Sequence, residues 1–199
     1  MMRRIGITGS IATGKSTLLT AFKGAGVPTI SADSIVADLY SGEAVQPVEA
    51  LFTSVVTGGK IDRQELARRL AQDPTGFAKL EAVVHPLVRR KIADFLENAE
   101  KDGHFAAAVE VPLLFESGHD YGFDIIAVTH VDEVIQKQRI LARPGMSVEK
   151  MQTLLARQMP QAEKIRRATW LFDTAQPREA IDAKVAGLVA DLKAEAGKQ

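Results

Sequence analysis

The spacing of apolar positions along the chain switches repeatedly between short runs and helical periods. Residues 3–8 carry Ile5 and Ile7 and run straight into a glycine-containing loop, a pattern that predicts a first strand followed by a turn. Residues 14–22 read as a helix ending near Gly24 and Gly26, and residues 27–31 form a second short apolar run. Residues 42–60 show little beyond a helix from about Pro47 and a turn at Gly58-Gly59. Residues 62–72 form an amphipathic helix with Asp62 as N-cap and Leu66 and Leu70 on one face, and Asp73-Pro74 opens another helix. Val88, Ile92, Phe95, Leu96 and Ala99 then recur at helical spacing until Gly103.

Residues 105–111 are a continuous apolar run suited to a buried parallel strand, and residues 124–128 repeat it. Asp132 predicts an N-cap for a helix reaching Arg143, which Pro144-Gly145 stops; Ser147 and Glu149 open the next helix. Residues 170–173 form a last short strand. Ile181, Val185, Leu188, Val189 and Leu192 share one face of a closing helix. Short strands alternating with helices predict an α/β layer fold with a mostly parallel sheet, whose ligands sit beyond the C-terminal strand ends.

Composition narrows the function. The 199 residues suit one compact domain, and 46% hydrophobic with 25% charged residues excludes disordered and low-complexity classes. Twenty-five Lys plus Arg balance twenty-five Asp plus Glu, so no overall basic field draws the chain to nucleic acid, and any anion site must be local. The absence of Cys excludes disulfides, thiolate-bound zinc, iron–sulfur clusters and a cysteine nucleophile. No apolar run reaches the ~20 residues of a membrane span, and the N-terminus lacks a signal-peptide pattern, so a cytoplasmic location is expected. Charge is nevertheless segregated: residues 94–133 hold ten acidic side chains and one basic one, whereas residues 136–168 hold eight basic and two acidic. The basic helical pair is either a set of solvated faces or a flap that closes over phosphates.

Candidate chemistry centres on Gly9-Ser10-Ile11-Ala12-Thr13-Gly14-Lys15-Ser16, which matches G-x-x-x-x-G-K-[ST] between a predicted strand and a predicted helix, the context this motif requires. Glycines let successive backbone N–H groups turn inward, and the helix start near Lys15 offers its orphan amides and positive dipole end to a polyphosphate. Gly9, Ala12, Thr13, Gly14, Lys15, Ser16 and Thr17 are therefore candidate ATP-binding residues. Lys15 can bridge the β and γ phosphates, and the Ser16 hydroxyl can ligate Mg²⁺. Thr17 is either an α-phosphate contact or an ordinary helical threonine.

Other features select among nucleotide-using proteins. The one Asn, Asn98, precedes Ala99, so the Asn-Lys-x-Asp guanine signature is absent; Asp73-Pro74-Thr75-Gly76 reads as a helix start; no Leu-Ser-Gly-Gly-Gln occurs. A small kinase or compact ATPase remains. A kinase acting on a hydroxyl needs a carboxylate to take the acceptor's proton. Asp33, just after the second apolar run, is placed for that, or else caps the following helix. Arg139 and Arg143, four apart on a predicted helix, either clamp phosphates as a flap closes and excludes water or are exposed arginines near a helix end.

At this point the chain resembles the dephospho-coenzyme A kinase family over nearly its whole length. The resemblance rests on the opening Ile-Thr-Gly-Ser-Ile-Ala-Thr-Gly-Lys-Ser-Thr, Ala32-Asp33, His85-Pro86-Leu87-Val88, Glu110-Val111-Pro112-Leu113-Leu114-Phe115-Glu116, and Arg157-Gln158-Met159-Pro160 before a helix containing Lys164. It implies a single P-loop NTPase domain, three-layer α/β/α with a five-stranded parallel sheet, a helical substrate-binding region at about 34–100 and a lid at about 139–165. It also implies ATP-dependent phosphorylation of the ribose 3′-hydroxyl of dephospho-coenzyme A, the last step of coenzyme A synthesis. Asp33 would be the base, with Lys15, Arg139 and Arg143 on the phosphates. Asp33, His85, Pro112, Leu113, Leu114 and Glu116 would bind the acceptor. The implied partners are ATP, dephospho-coenzyme A and Mg²⁺, with no nucleic acid or membrane, in a monomer or weak homo-oligomer.

From chemistry alone, His85 before a proline suggests extended backbone at a helix boundary and an uncharged packing histidine. Glu110, inside an apolar strand, calls for a Lys, an Arg or a water-bound Mg²⁺ facing it, and the residue 112–114 turn could instead cap the core. The chain departs from the family at Ser31, where Asp is common, and at Ala12, where Gly is frequent and Ala is tolerable only at negative φ. It departs again at residues 168–174, which end in Thr174 rather than Asn and put adenine contacts in question. The alternatives are another small-metabolite or nucleoside monophosphate kinase, and an ATP-dependent switch.

Overall fold

The computed structural model describes residues 1–197. The elements follow in the order β1 (Arg3–Gly9), α1 (Lys15–Gly24), β2 (Thr29–Ser31), α2 (Ala32–Leu39), α3 (Val45–Leu51), β3 (Val56–Thr57), β4 (Lys60–Ile61), α4 (Arg63–Gln72), α5 (Gly76–Lys101), β5 (Ala106–Glu110), β6 (Ile125–His130), α6 (Glu133–Leu141), α7 (Val148–Ala156), α8 (Gln161–Arg166), β7 (Trp170–Asp173) and α9 (Arg178–Ala196). They form two compact units, one of Met1–Ile30 with the chain from Leu96 onward, the other of Ser31–Phe95.

The first unit is built on a five-stranded parallel sheet in the order β2-β5-β1-β6-β7. β1 is central and runs parallel to β5, with Ile7 opposite Glu110, and to β6, with Thr8 opposite Val128. Because neighbours on the two sides of β1 connect in opposite directions, a crevice opens beyond its C-terminal end, where this class of sheet binds ligands. Alternation decides which face each residue covers. Ile5 and Ile7 join Leu18, Ala21 and Phe22 of α1 and Ile181, Val185, Val189 and Leu192 of α9 in one core cluster. Phe22 stacks on Trp170 and meets Phe172 edge to face. Each such fully buried aliphatic or aromatic side chain contributes about 1.5–3 kcal/mol. Gly6 lies close under Phe123, which occupies the space a Cβ would need.

In the second unit the predicted Asp62 cap is present, accepting from the amides of Gln64 and Glu65. Asp73 accepts from Thr75 N and Oγ1 and so opens α5, as its Asp-Pro pair suggested. The turn expected at Gly58-Gly59 is present: the two glycines adopt φ of +58° and +78° and close a small antiparallel hairpin. Two local readings need correction. α3 begins at Val45, ahead of Pro47. His85 does not sit on extended backbone: α5 continues unbroken through Pro86 for 26 residues. A proline inside a helix removes one N–H donor and crowds the carbonyl four residues back. Here the apolar face of Val84, Val88 and Ile92 is buried, and that packing holds the helix together across it.

Candidate active site

β1 carries the chain into the loop of the phosphate motif. Gly9 has φ +157°, and a Cβ there would come within 2.3 Å of Thr129 Oγ1 and 2.6 Å of Thr13 Oγ1. Thr13 Oγ1 donates to Ser10 O at 2.8 Å and lies 2.8 Å from Thr129 Oγ1, so the Thr13 side chain is part of the loop's buried floor. Gly14, at φ +85°, brings its backbone against Thr174, whose Cγ2 would be 2.9 Å from an added Cβ. α1 starts at Lys15 with no side-chain cap. Its first-turn amides and dipole end are therefore offered to an anion. Lys15 Nζ folds back to donate to Gly9 O and Ser10 O, each at 3.1 Å.

Ala12 overturns the expectation of negative φ: its φ is +62°. An L-residue reaches that region at a cost of roughly 1–2 kcal/mol, so tertiary contacts, not intrinsic preference, hold the turn.

A cavity of about 360 Å³ opens beside this loop, lined by Ala12, Gly14, Thr17, Arg139, Arg143 and Thr174. Gln176, Arg178 and Ile181 complete it. Its size falls within the range of small-molecule sites. Thr174 is its hub. The Thr174 hydroxyl donates to Thr13 O at 2.9 Å and accepts from Arg139 Nη1 at 3.0 Å, while Arg139 Nη2 donates to Thr174 O at 2.8 Å. The residue that departs from the family pattern thus joins the phosphate loop to the segment after β7. In the sequence Thr174 stands out only as a departure from the family pattern, and nothing local distinguishes Gln176 and Arg178 from ordinary residues after a strand.

α6 ends at Leu141, so Arg143 lies beyond it and does not share a helical face with Arg139. Both arginines nevertheless reach the same cavity, Arg139 half-buried and Arg143 exposed. The other basic groups of residues 136–168 divide differently. Arg166 and Arg167 pair with Glu163, Lys137 with Glu133, Lys150 Nζ donates to Gly145 O, and Lys164 is buried against Glu116. Solvated or internally paired faces account for most of that charge.

Glu116 Oε1 accepts from Met159 N at 2.8 Å and lies 2.8 Å from Lys164 Nζ. Burial alone would raise the Glu116 pKa; the Lys164 ammonium beside it and the hydrogen bond from the Met159 amide outweigh it and hold the carboxyl below its ordinary value. Leu114 is buried, Pro112 half-buried and Leu113 exposed, and Pro112 O accepts from Thr8 Oγ1 at 3.3 Å. The turn therefore has a core-facing residue and an outward one.

In the second unit, Ser31 caps α2 by accepting from Ser34 N at 3.0 Å. This hydroxyl does what an aspartate at the same place would do, and it leaves the carboxylate of Asp33, exposed in the first turn, outside the capping role. His85 is exposed rather than packed. Arg89, one turn further along α5, buries its Nε with no hydrogen-bond partner among the described residues.

Among the described residues, no three His, Cys, Asp or Glu side chains gather to hold a metal ion. A Mg²⁺ ion commonly takes most of its ligands from phosphate and water, with one or two protein oxygens. Ser16 exposes its hydroxyl in the first turn of α1, and Glu110 is buried at the end of the strand beside β1.

The parallel sheet, the loop at the end of its central strand and the arginine-lined cavity define a P-loop kinase. The family model for dephospho-CoA kinase (CoaE) matches residues 3–178, and the chain belongs to that family. A dephospho-CoA kinase of Rhizobium etli is 45% identical over 197 residues, spanning 99% of this chain and 97% of its own. A crystal structure from Thermus thermophilus superposes with a TM-score of 0.79 at 33% identity, covering 96% of this chain and 98% of that one. Dephospho-CoA kinase from Campylobacter jejuni gives 0.74 at 25% identity, with the same coverage of 96% and 98%. The resemblance drawn from the motifs is borne out for family, fold and kinase activity. No helix among the described residues is long and apolar enough to cross a membrane.

Proposed function

We propose that the chain transfers the γ-phosphoryl group of ATP to the ribose 3′-hydroxyl of dephospho-coenzyme A, with Asp33 as the general base. The observation that carries this reading is the uncapped start of α1 beneath a glycine-framed loop, opening on a cavity walled by Arg139 and Arg143. In the transfer, the 3′-oxygen forms a bond to the γ-phosphorus as the bond from that phosphorus to the β,γ-bridging oxygen breaks. The hydroxyl proton passes to the Asp33 carboxylate, and ADP leaves with the bond's electron pair.

Lys15 follows the terminal phosphates and stabilises the charge that gathers on their oxygens. Gly9, Ala12, Thr13 and Gly14 shape the loop, and Ser16 and Thr17 contribute first-turn groups. Arg139 and Arg143 neutralise phosphate charge, and the Thr174 segment supports the nucleotide on the cavity's far side. Ser16 and Glu110 would hold Mg²⁺, which when bound neutralises charge on the β and γ phosphates.

For the acceptor we assign His85, Pro112, Leu113, Leu114 and Glu116, the last by holding the Met159 backbone rather than by direct contact. Arg89, whose Nε is buried without a hydrogen-bond partner among the described residues, is a further candidate for the acceptor's diphosphate. A coupled assay for ADP release tests the reading. Release that depends on dephospho-coenzyme A is the expected result. Transfer to AMP, shikimate or gluconate but not to dephospho-coenzyme A would overturn it, as would equal ATP turnover without any acceptor.

A further inference from the structure

Ile11 sits at the crown of the phosphate loop, and both halves of its backbone polarity are taken by side-chain amides from distant parts of the chain. Its N–H donates to Gln158 Oε1 at 2.9 Å, and its C=O accepts from Gln136 Nε2 at 2.8 Å. Gln136 is 5% exposed, a buried polar side chain on α6. Gln158 lies just after α7, beside Met159, whose N–H is fixed on Glu116. α6 docks on the loop twice, through Gln136 and, three residues later on the same face, through Arg139 and Thr174.

The next residue, Ala12, holds φ +62° without the glycine that would make this conformation easy. The local sequence does not favour the Ile11–Ala12 turn, and two glutamines hold the N–H and the C=O of Ile11 at its start. With its N–H engaged by Gln158, Ile11 is no donor to an anion; the loop presents Gly14 and the first turn of α1 instead.

We propose that Gln136 and Gln158 are positioning residues for the phosphate loop, holding the Ile11–Ala12 turn in the shape that brings the first-turn amides of α1 onto a nucleotide's phosphates. The proposal rests on the loop's being the nucleotide site and is independent of the acceptor's identity. The two bonds have opposite sense. At 158 the side chain accepts, so glutamate preserves the bond; at 136 it donates, so glutamate replaces attraction by repulsion.

The test is calorimetric titration of ADP into the folded protein and into Gln136→Met, Gln136→Glu, Gln158→Met and Gln158→Glu. Each methionine variant should bind ADP about 3- to 10-fold more weakly, the range of one lost hydrogen bond. A negative charge near the phosphates weakens binding at both positions, so the ratio of glutamate to methionine variant isolates bond direction. That ratio should be about 10-fold larger at 136 than at 158. Equal ratios would overturn the proposal. If the buried position does not tolerate substitution, Gln158→Met alone decides: wild-type ADP affinity overturns the proposal and weakened affinity at unchanged melting temperature supports it. Failure of the wild type to bind ADP would overturn the reading of the loop itself, and is distinct from variants that bind as the wild type does.

Discussion

Lys164, with no exposed side-chain surface, places its ammonium 2.8 Å from Glu116 Oε1 and so ties α8 to the segment after β5. Breaking a buried pair by removing one partner leaves an uncompensated charge and typically costs about 3–5 kcal/mol. Lys164→Met should lower the melting temperature by roughly 10 °C. Removing both charges, in Glu116→Gln with Lys164→Met, should recover a large part of the loss. A double variant no more stable than the single one would show that packing, not charge, dominates there.

The same carboxylate sets a pH dependence. Glu116 binds its proton more weakly in the folded state than at its ordinary value of 4.5. Its contribution is therefore fully present above that value and is lost as pH falls through the lower native one. Urea unfolding below pH ~5 should show the wild type losing stability faster than Glu116→Gln. Parallel profiles for the two proteins would remove Glu116 from the acid response.

Asp33→Asn should lower turnover by about 10²- to 10⁴-fold, the range for a general base, with ATP affinity nearly unchanged. The Ser31 cap remains in this variant, so α2 keeps its start. Single-turnover kinetics separate chemistry from binding, and unchanged turnover would exclude Asp33 as the base.

Arg139 and Arg143 line one cavity but are held differently, and their variants should differ accordingly. Arg139→Met loses two hydrogen bonds to Thr174 and should reduce stability by about 1.5–3 kcal/mol as well as activity. Arg143→Met, at an exposed position, should stay within about 0.5 kcal/mol of the wild type while slowing phosphoryl transfer. Denaturant melts beside kcat measurements check this, and equal destabilisation by both would end the distinction.

Arg89→Met should raise KM for dephospho-coenzyme A about 10-fold, with KM for ATP unchanged, because a charge-assisted contact to the acceptor's diphosphate is lost. Steady-state kinetics with each substrate varied in turn read the split. A change in the ATP constant alone would place Arg89 elsewhere in the mechanism.

Much of this was legible in the chain itself, wherever the cause is local. The phosphate loop, the strand before it and the helix after it follow from spacing and backbone chemistry within about fifteen residues. The caps at Asp62, Asp132 and Ser147 were readable for the same reason, since a side chain there bonds an amide two or three residues away. His85 was misread because the local rule for a residue before proline competes with the packing of a long helix, and packing prevails. Arg143 was assigned to a helix that stops two residues earlier.

What the amino-acid order determined alone was the fold class, the phosphate-loop motif and the side-chain types present at Lys15, Ser16 and Asp33, because these depend on local periodicity and fixed short spacings. Only the tertiary structure decided that Ala12 holds a disfavoured turn, that Thr174 and two glutamines brace the loop, and that Lys164 is buried against Glu116. Those contacts join residues 48 to 161 positions apart in the chain. Hydrogen bonds and ion pairs at such separations leave no periodic trace, since they arise only when the packing of sheet and helices brings the partners together.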